Sequence, residues 1–222
     1  MIGELTTKHG VEIIALQADH QEPIEAGNCI VKSAKANFTT SDSQLLINIL
    51  INNAGISGYY KLGDVPITEF HRIYAINVLA PIIITQSILP FLPRDRSGRI
   101  INISSIASTM GFETHTLYGG TKAALDAMTR TWARELAERA TVNAVNPSPK
   151  QLEPFQLATP LSAVRDGFDR PDLVKLANTK MAGRRPAYWS EVAGIVGMLC
   201  GEDSAWCTGS VIYADGGLRF ST

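Results

Sequence analysis

The stretch Arg99-Ile100-Ile101-Asn102-Ile103-Ser104-Ser105, with Tyr118-Gly119-Gly120-Thr121-Lys122 beginning thirteen residues after Ser105, decides the fold of this 222-residue chain. Its first five residues form a short run that is rich in β-branched side chains and contains no acidic residue. Such a run predicts a buried strand of a parallel sheet. Ser105 would then follow the carboxyl end of that strand, where open α/β sheets bind ligands. A long helix is predicted over residues 123–139. Tyr118 and Lys122, four residues apart, are expected to share one face of a helix that continues into it.

A phenol beside an ammonium group is suited to proton transfer at a carbonyl oxygen. A carbonyl that receives a hydride needs a proton, yet a free phenol titrates near ~10, about three units above neutral pH. A cation about 4 Å away contributes roughly 4 kcal/mol at an effective dielectric constant of ~20, so Lys122 is expected to supply most of the shift for Tyr118. Ser105 would hold the same oxygen by a hydrogen bond. The alternative is a helix that carries Tyr and Lys at this spacing by chance.

Strands alternate with helices along the chain, which is typical of a parallel, doubly wound α/β sheet. The predicted strands cover residues 11–19, 45–51, 99–103, 141–146 and 209–213, and the predicted helices cover 23–38, 69–89, 123–139 and 191–200. Residues 150–185 are irregular and are expected to form either a flap over the substrate or a variable surface loop. No linker interrupts the pattern, so residues 1–222 are expected to form a single domain.

Composition argues against several classes of function. The net charge is −1 and no cluster of Lys and Arg stands out, so nucleic-acid binding has no electrostatic support. The three cysteines are scattered and the four histidines show no ligand spacing, so we expect reduced thiols, a cytoplasmic protein and no metal site. The most apolar stretch, residues 76–92, is interrupted by Asn77, Pro81, Gln86 and Pro90. It favours a buried or interface helix over a membrane span.

Several short motifs occur in a fixed order along the chain. They are Asn52-Asn53-Ala54-Gly55, Asn77, Ser105, Tyr118 to Lys122, Asn143-Ala144-Val145-Asn146-Pro147, Thr208-Gly209 and Asp215-Gly216-Gly217. Each motif is weak alone, but the set resembles the short-chain dehydrogenase/reductases from about Val11 to the C-terminus. Within that family the chain is similar to ketoreductases related to 3-oxoacyl-carrier-protein reductase and to reductases of fungal polyketide and naphthol metabolism. The resemblance implies a Rossmann-like sheet and an NAD(P)(H)-dependent oxidoreductase acting on a ketone or secondary alcohol.

The resemblance also implies roles for individual residues. A catalytic tetrad would consist of Asn77, Ser105, Tyr118 and Lys122, with Tyr118 as the acid in reduction and the base in oxidation. Lys122 would also bind the nicotinamide ribose, and Asn77 would hold a water that relays protons. The implied cofactor contacts are Asp19 at the adenine, Asn53-Ala54-Gly55 along the adenosine, and Tyr118, Lys122 and Pro147. The implied partners are a small carbonyl or alcohol substrate and further copies of the chain, as a homodimer or homotetramer packed through the helices of Asn77 and Tyr118.

Two departures from the family pattern concern the cofactor. The family normally opens with a strand and a Thr-Gly-xxx-Gly-x-Gly loop whose backbone amides hold the pyrophosphate, and these 222 residues contain no such segment. The expectation is therefore an N-terminally truncated fold, in which the first two strands are absent and cofactor affinity is low. In addition, Ser148 and Leu152 stand where the family tends to have the glycine and threonine that follow Pro147.

The truncation leaves two questions open. The strand predicted over residues 11–19 has no obvious neighbour, and the strand over 45–51 becomes an exposed, apolar sheet edge. A non-catalytic chain or an incomplete gene product unable to bind cofactor is therefore the alternative to an active enzyme. The expected pocket residues suggest an apolar, aromatic or polyketide-like carbonyl compound: Met110, Phe112, His115, Phe155, Leu161 and Phe168. Family habit favours NADP(H) over NAD(H).

Overall fold

The computed structural model describes residues 2–39, 44–148, 150–151 and 171–219. The helices are α1 (Ile2–His9), α2 (Pro23–Phe38), α3 (Ile67–Tyr74), α4 (Ala80–Ile88), α5 (Ala107–Met110), α6 (Thr116–Glu135), α7 (Pro171–Lys180) and α8 (Trp189–Cys200). The strands are β1 (Ile49–Asn52), β2 (Gly98–Ile103), β3 (Ala140–Pro147), β4 (Lys150–Gln151), β5 (Ala187–Tyr188) and β6 (Val211–Ala214). A π-helix, Ala75–Leu79, joins α3 to α4, so the chain is helical without interruption from Ile67 to Ile88.

The main sheet has four parallel strands in the order β1-β2-β3-β6. Ile51 pairs with Ile101, and Ile101 pairs in turn with Asn143. Since all four strands run the same way, their carboxyl ends meet at one edge of the sheet. That edge brings together the segments that follow Asn52, Ile103 and Pro147, as a doubly wound sheet requires.

Helices pack on both faces of this sheet. On one face, Ile88 and Leu92 pack against Ile100 and Val142, with Ala133 of α6 completing the cluster. On the other face, Val192 and Leu199 of α8 pack against Ile101 and Val145. Adjacent residues of β2 therefore point to opposite faces, and both faces are buried. The predicted α/β, Rossmann-like doubly wound sheet is confirmed.

Two predicted strands differ from the structure. Residues 11–19 have an apolar composition suited to a strand, but they form no regular structure, and Val11 and Leu16 are exposed. In the described ranges no strand lies beside them, and a strand without a neighbour has nothing to bond its backbone to. The strand predicted over 45–51 is shorter, at Ile49–Asn52, because the Ile47 N–H bonds to the carbonyl of Phe91 instead of to the sheet.

The predicted sheet edge at β1 is confirmed for the part of the chain that the structure describes. No strand pairs with its outer side there, and Ile49 and Ile51 are 46% and 44% exposed. Buried amides anchor its inner side. Asn52 Nδ2 donates to Asn102 Oδ1 at 2.8 Å, and Asn102 Nδ2 donates to Thr129 Oγ1 at 2.8 Å. These bonds tie β1, β2 and α6 together below the carboxyl edge.

The helices follow the predictions more closely than the strands do. The helix predicted over 23–38 is α2, with Pro23 at its first turn. The long helix begins at Thr116 instead of residue 123, so Tyr118 and Lys122 lie in its first turns. Residues 171–180 form α7, where an irregular segment was predicted, and residues 152–170 lie outside the described residues.

The continuous segment Ile67–Phe91 is long and apolar enough to span a membrane by length and composition. Its side chains Ile73, Ala80, Ile84 and Ile88 are buried inside the protein. It packs in the helical layer against α2 and α6. One side of the segment is thus buried and the other exposes Ile67, Phe70 and Leu79, which agrees with the buried or interface helix that the sequence favours.

Candidate active site

Tyr118 and Lys122 share one face of α6, as their spacing predicts. The Lys122 side chain is buried, and its Nζ lies 5.7 Å from the centre of the Tyr118 ring. Lys122 Nζ also donates a hydrogen bond of 2.8 Å to the carbonyl of Ile103, the last residue of β2. The ammonium group is therefore held between the phenol and the end of the central strand.

Ser105 lies in the short segment, residues 104–106, that connects β2 to α5. Its Oγ accepts a hydrogen bond of 3.1 Å from the Ala107 N–H, which leaves its own O–H as a donor. The neighbouring Ser104 Oγ donates to the Lys122 carbonyl at 3.0 Å and so attaches this segment to α6. Sequence reasoning placed Ser104 at the strand end without assigning it this role, because the bond forms only when β2 and α6 pack together.

Asn77 lies in the π-helix and is almost completely buried. Its Nδ2 donates to the Ile56 carbonyl at 2.8 Å and to Thr121 Oγ1 at 3.0 Å, and its Oδ1 accepts the Ile56 N–H at 2.9 Å. Thr121 precedes Lys122 directly. Asn77 thus joins the segment after β1 to the start of α6, and Thr121 is a member of the site that sequence reasoning did not single out.

The pKa of Tyr118 lies above the ordinary value for tyrosine. Burial is the main cause, because it disfavours the phenolate, and a smaller electrostatic effect of the nearby Tyr59 phenol acts in the same direction. The Ser105 hydroxyl lowers the pKa by hydrogen bonding to the phenol, but less strongly. In the chain without bound ligands the net shift is therefore upward and not toward neutrality, because burial outweighs the interactions that lower the pKa of Tyr118. The effect of Lys122 on this pKa stays a prediction.

The residues after β1 lie beside Lys122. Asn53, Ala54 and Gly55 are exposed at the carboxyl edge of the sheet. A Cβ atom at Gly55 would lie 3.3 Å from Asn77 Oδ1 and 3.3 Å from Lys122 Nζ. A larger residue at this position would fill the space that these two polar atoms share, so glycine keeps the space open.

The other two predicted cofactor residues are placed differently. Pro147 ends β3 at the same edge of the sheet and is buried, and its carbonyl accepts the Ile106 N–H at 3.2 Å. Asp19 is exposed in the loop before α2, where its Oδ1 accepts the Gln21 N–H at 2.9 Å. Among the hydrogen bonds of the described residues, Asp19 is joined to Gln21 and Glu22 and not to Ser105, Tyr118 or Lys122.

Aromatic side chains pack on the outer side of Tyr118. The His115 ring lies 6.0 Å from the Tyr118 ring, 5.5 Å from Phe112 and 5.1 Å from Tyr59. His115 and Phe112 were predicted pocket residues. Tyr59 was missed, because nothing in the sequence indicates that the segment after β1 reaches this side. The predicted pocket residues Phe155, Leu161 and Phe168 lie outside the described residues.

Comparison with known proteins identifies the family. The family described as enoyl-(acyl carrier protein) reductase matches residues 2–219. The chain is 49% identical over 245 residues to an L-xylulose reductase of Aspergillus niger, covering 98% of this chain and 82% of the relative. It is 42% identical over 253 residues to an L-xylo-3-hexulose reductase of Hypocrea jecorina, covering 100% of this chain and 83% of that protein.

The chain belongs to the short-chain dehydrogenase/reductase family. A blue fluorescent protein from a metagenomic library, solved in complex with NADPH, shares the fold with a TM-score of 0.81 and 30% identity. The match covers 99% of this chain and 81% of that chain. The protein is therefore an oxidoreductase that transfers a hydride between a nicotinamide cofactor and a ketone or secondary alcohol. The comparisons give no support to the alternative of a non-catalytic chain.

Proposed function

We propose that this protein is an NADPH-dependent reductase of polyhydroxylated ketones, with Tyr118 as its general acid. The observation that carries the proposal is the meeting of three groups at the carboxyl edge of the sheet. They are the protonated phenol of Tyr118, the Ser105 hydroxyl that hydrogen bonds to it, and the buried ammonium of Lys122. This set of groups suits the reduction of a carbonyl group.

Each group has one task in the proposed reaction. The reduced nicotinamide, when bound, supplies the hydride for the carbonyl carbon. Tyr118 donates its phenolic proton to the carbonyl oxygen, and Ser105 donates a hydrogen bond to the same oxygen. The raised pKa of Tyr118 keeps the phenol protonated at neutral pH, which suits the direction of reduction.

The residues around Gly55 fit the ribose and nicotinamide half of the cofactor. The space that a Cβ at Gly55 would fill is bordered by Lys122 Nζ, a donor suited to ribose hydroxyls, and by Asn77 Oδ1, an acceptor. Pro147 ends β3 at the same edge. We propose that Lys122, Tyr118 and Pro147 hold this half and that Asp19 contacts the adenine. The segment Asn53-Ala54-Gly55 would line the adenosine and reach the nicotinamide ribose at its last residue, Gly55.

Asn77 is proposed to serve the proton relay by holding a water molecule beside Lys122. Both donors of its amide are used, by Ile56 and Thr121, and Oδ1 retains one lone pair beside the Lys122 ammonium. A water held in that space would accept a hydrogen bond from the Lys122 ammonium and donate one to Asn77 Oδ1. From there it would relay protons to Lys122, and so help to replace the proton that Tyr118 donates.

The substrate class follows from the relatives and from the side chains near Tyr118. Both relatives named above are ketose reductases by name, at 49% and 42% identity. His115 and Tyr59 add hydrogen-bonding groups to the aromatic surface beside Tyr118. We therefore favour a polyhydroxylated ketone over the apolar carbonyl compound expected from the sequence. NADPH is favoured over NADH because the metagenomic structure carries NADPH.

Steady-state kinetics with matched substrates test this proposal. The purified protein is assayed for oxidation of NADPH and of NADH with L-xylulose, L-xylo-3-hexulose and a bicyclic aromatic ketone. We expect the two ketoses to give higher kcat/KM values than the aromatic ketone, and NADPH to be preferred. Preference for the aromatic ketone would overturn the substrate class while leaving the oxidoreductase assignment in place.

We also propose a cytoplasmic homodimer or homotetramer. The three cysteines are unbridged, which supports a reducing compartment. Phe70 and Leu79, on the helical segment that carries Asn77, are 36% and 45% exposed and suit a contact with a second copy. Light scattering coupled to size-exclusion chromatography measures the oligomeric state, and a monomer at micromolar concentration would contradict this assignment.

A further inference from the structure

A buried polar pair lies behind the catalytic residues and has no part in the proposed chemistry. Asp126 on α6 is 5% exposed, and Asn146 on β3 is fully buried. Asn146 Nδ2 donates to Asp126 Oδ2 at 3.1 Å and to Ser108 Oγ at 2.9 Å. The second oxygens, Asp126 Oδ1 and Asn146 Oδ1, are buried without a hydrogen-bond partner in the described part of the chain.

Such a pair is unfavourable for stability alone. A buried carboxylate costs free energy unless a cation or several donors compensate it, and apolar residues of similar volume often serve a core as well or better. Asp126 forms no ion pair among the described residues. The burial of Asp126 with one carboxyl oxygen unbonded therefore indicates a role other than packing.

The pair connects the segments that carry the catalytic residues. Asp126 lies one helical turn after Lys122, on the same face of α6. Asn146 directly precedes Pro147. The Ser108 N–H donates to the Ser105 carbonyl at 3.0 Å, so Ser108 is coupled to the catalytic serine. The side-chain amide of Asn146, near the end of β3, therefore links Ser108, which follows Ser105, to Asp126 on α6.

Helices α5 and α6 also approach each other closely beside Tyr118. A Cβ atom at Gly119, next to Tyr118, would lie only 2.8 Å from the carbonyl oxygen of Ala107 on α5. At this separation, a small shift of α5 changes the distance between the Ser105 hydroxyl and the Tyr118 phenol. Displacements of about 1 Å can reduce catalytic rates by up to about 100-fold.

We propose that Asp126 and Asn146 are positioning residues that act through Ser108 to hold the Ser105 hydroxyl against the Tyr118 phenol. The inference rests on the proposed function, in which these two groups share the carbonyl oxygen. The pair acts by hydrogen bonding and not by charge, since the Asn146 amide reaches both Asp126 and Ser108. An amide in place of the Asp126 carboxylate would accept the same bond.

The test compares Asp126→Leu, Asn146→Leu, Ser108→Ala and the conservative Asp126→Asn with a control, Thr129→Val. Thr129 lies on the same helix, is fully buried and bonds to Asn102 and to the Leu125 carbonyl, away from the Ser105 segment. Its valine variant loses buried hydrogen bonds of α6 without touching the link. Thermal unfolding, kcat, KM and the titration of Tyr118 are measured for each protein.

The titration separates positioning from stability and does not need turnover. Phenolate absorbance of each variant, minus that of the same variant carrying Tyr118→Phe, reports Tyr118 alone. The titratable groups that face Tyr118 are Lys122, His115 and Tyr59, and none is changed by these variants. Because the Ser105 hydroxyl lowers the pKa of Tyr118, moving it away raises that pKa further.

We expect Asp126→Leu and Asn146→Leu to lower kcat about tenfold or more, with KM changed less than about threefold and Tyr118 titrating at higher pH. Asp126→Asn should retain most of the activity, and Ser108→Ala should add little to Asp126→Leu, because both break one link. If Asp126→Leu matches Thr129→Val, with lost stability but unchanged kcat and titration, the inference is overturned. It is also overturned if Asp126→Asn is as damaging as Asp126→Leu.

Two further outcomes are informative. If the leucine variants do not fold, Ser108→Ala carries the test, since Ser108 is only half-buried, and an unchanged Tyr118 titration in that variant rejects the inference. If the unmodified protein reduces no ketone, the proposed function fails. The titration still decides whether the pair positions Ser105.

Discussion

The proton of Tyr118 is subject to two opposing influences. Burial raises the pKa of the phenol, and the hydrogen bond with Ser105 lowers it to a smaller extent. A group with a raised pKa keeps its proton to higher pH, so the Tyr118 phenol stays protonated in the neutral range. In the proposed reaction this protonated phenol serves as the acid for reduction, whereas oxidation would use the phenolate, which forms only at alkaline pH.

The first prediction concerns the pH dependence of ketone reduction. The rate should be independent of pH around neutrality and should fall only as pH rises through the pKa of Tyr118, above the ordinary value near ~10. Ser105→Ala should lower kcat and move this alkaline limb to still higher pH, since the lowering interaction is lost. The measurement is a pH–rate profile of both proteins, with Ser97→Ala as an exposed serine control. A limb near neutral pH that Ser105→Ala leaves in place would contradict this account.

At the residue scale, the sequence predicted which helix face carries Tyr118 and Lys122, but not the direction in which the pKa of Tyr118 is shifted. The four-residue interval between Tyr118 and Lys122 placed both on one side of α6, because helix geometry alone determines this. The upward direction of the Tyr118 pKa shift comes mainly from burial by distant segments, with a smaller contribution from Tyr59. Such contacts exist only after the chain has folded, so the local sequence carries no signal for them.

Asn77 lies where one helix departs from the regular form that the sequence predicts. The sequence predicts a single helix over 69–89, whereas the structure inserts the π-helix Ala75–Leu79 at the predicted catalytic asparagine. π-Helical turns are frequent at functional sites, and the apolar periodicity around them does not distinguish them from regular helix. The irregularity was therefore beyond the reach of pattern analysis.

The second prediction concerns the hydrogen bonds of Asn77. Asn77→Leu should reduce the free energy of unfolding by about 3 kcal/mol, since the half-buried Ile56 N–H and C=O and the buried Thr121 hydroxyl would lose a hydrogen-bond partner. It should also lower turnover, because Gly55 and Lys122 lie beside this side chain. Denaturant unfolding and steady-state kinetics measure the two effects. The matched control is Asn37→Leu on the exposed side of α2, expected within about 0.5 kcal/mol of the unmodified protein. Equal effects of the two variants would refute the prediction.

Residues 11–19 are a case in which a predicted strand does not form. Their composition suits a strand, yet the structure gives them no regular conformation and exposes Val11 and Leu16. A strand is stabilised by a neighbour, unlike a helix, whose backbone bonds are internal. Helix α2, which bonds internally, was correctly predicted from residue 23 to 38.

At the scale of the whole molecule, the two halves of the proposed cofactor site differ. The ribose and nicotinamide half has Lys122, Asn77 and the space at Gly55. For the pyrophosphate half, these 222 residues contain no Thr-Gly-xxx-Gly-x-Gly loop. The third prediction is that this polypeptide binds NADPH weakly. Losing two hydrogen bonds to a charged group, at ~1.5–3 kcal/mol each, together with a helix N-terminus, weakens a micromolar site to about the millimolar range.

Calorimetric titration of the folded polypeptide with NADPH measures this affinity, with Lys122→Ala as the comparison. We expect weak binding that becomes weaker still without the Lys122 ammonium. Micromolar binding would show that the pyrophosphate is held by other groups, and the prediction would then be wrong.

The most direct test of the account compares the unmodified protein with Tyr118→Phe in NADPH-dependent ketose reduction at NADPH concentrations of about millimolar or higher. The variant keeps the aromatic packing against His115 but cannot donate a proton. The account predicts turnover by the unmodified protein, a loss of ~10²–10⁴-fold in kcat for Tyr118→Phe, and nearly equal NADPH affinity for both. A Tyr118→Phe protein that retains most of the rate would contradict it.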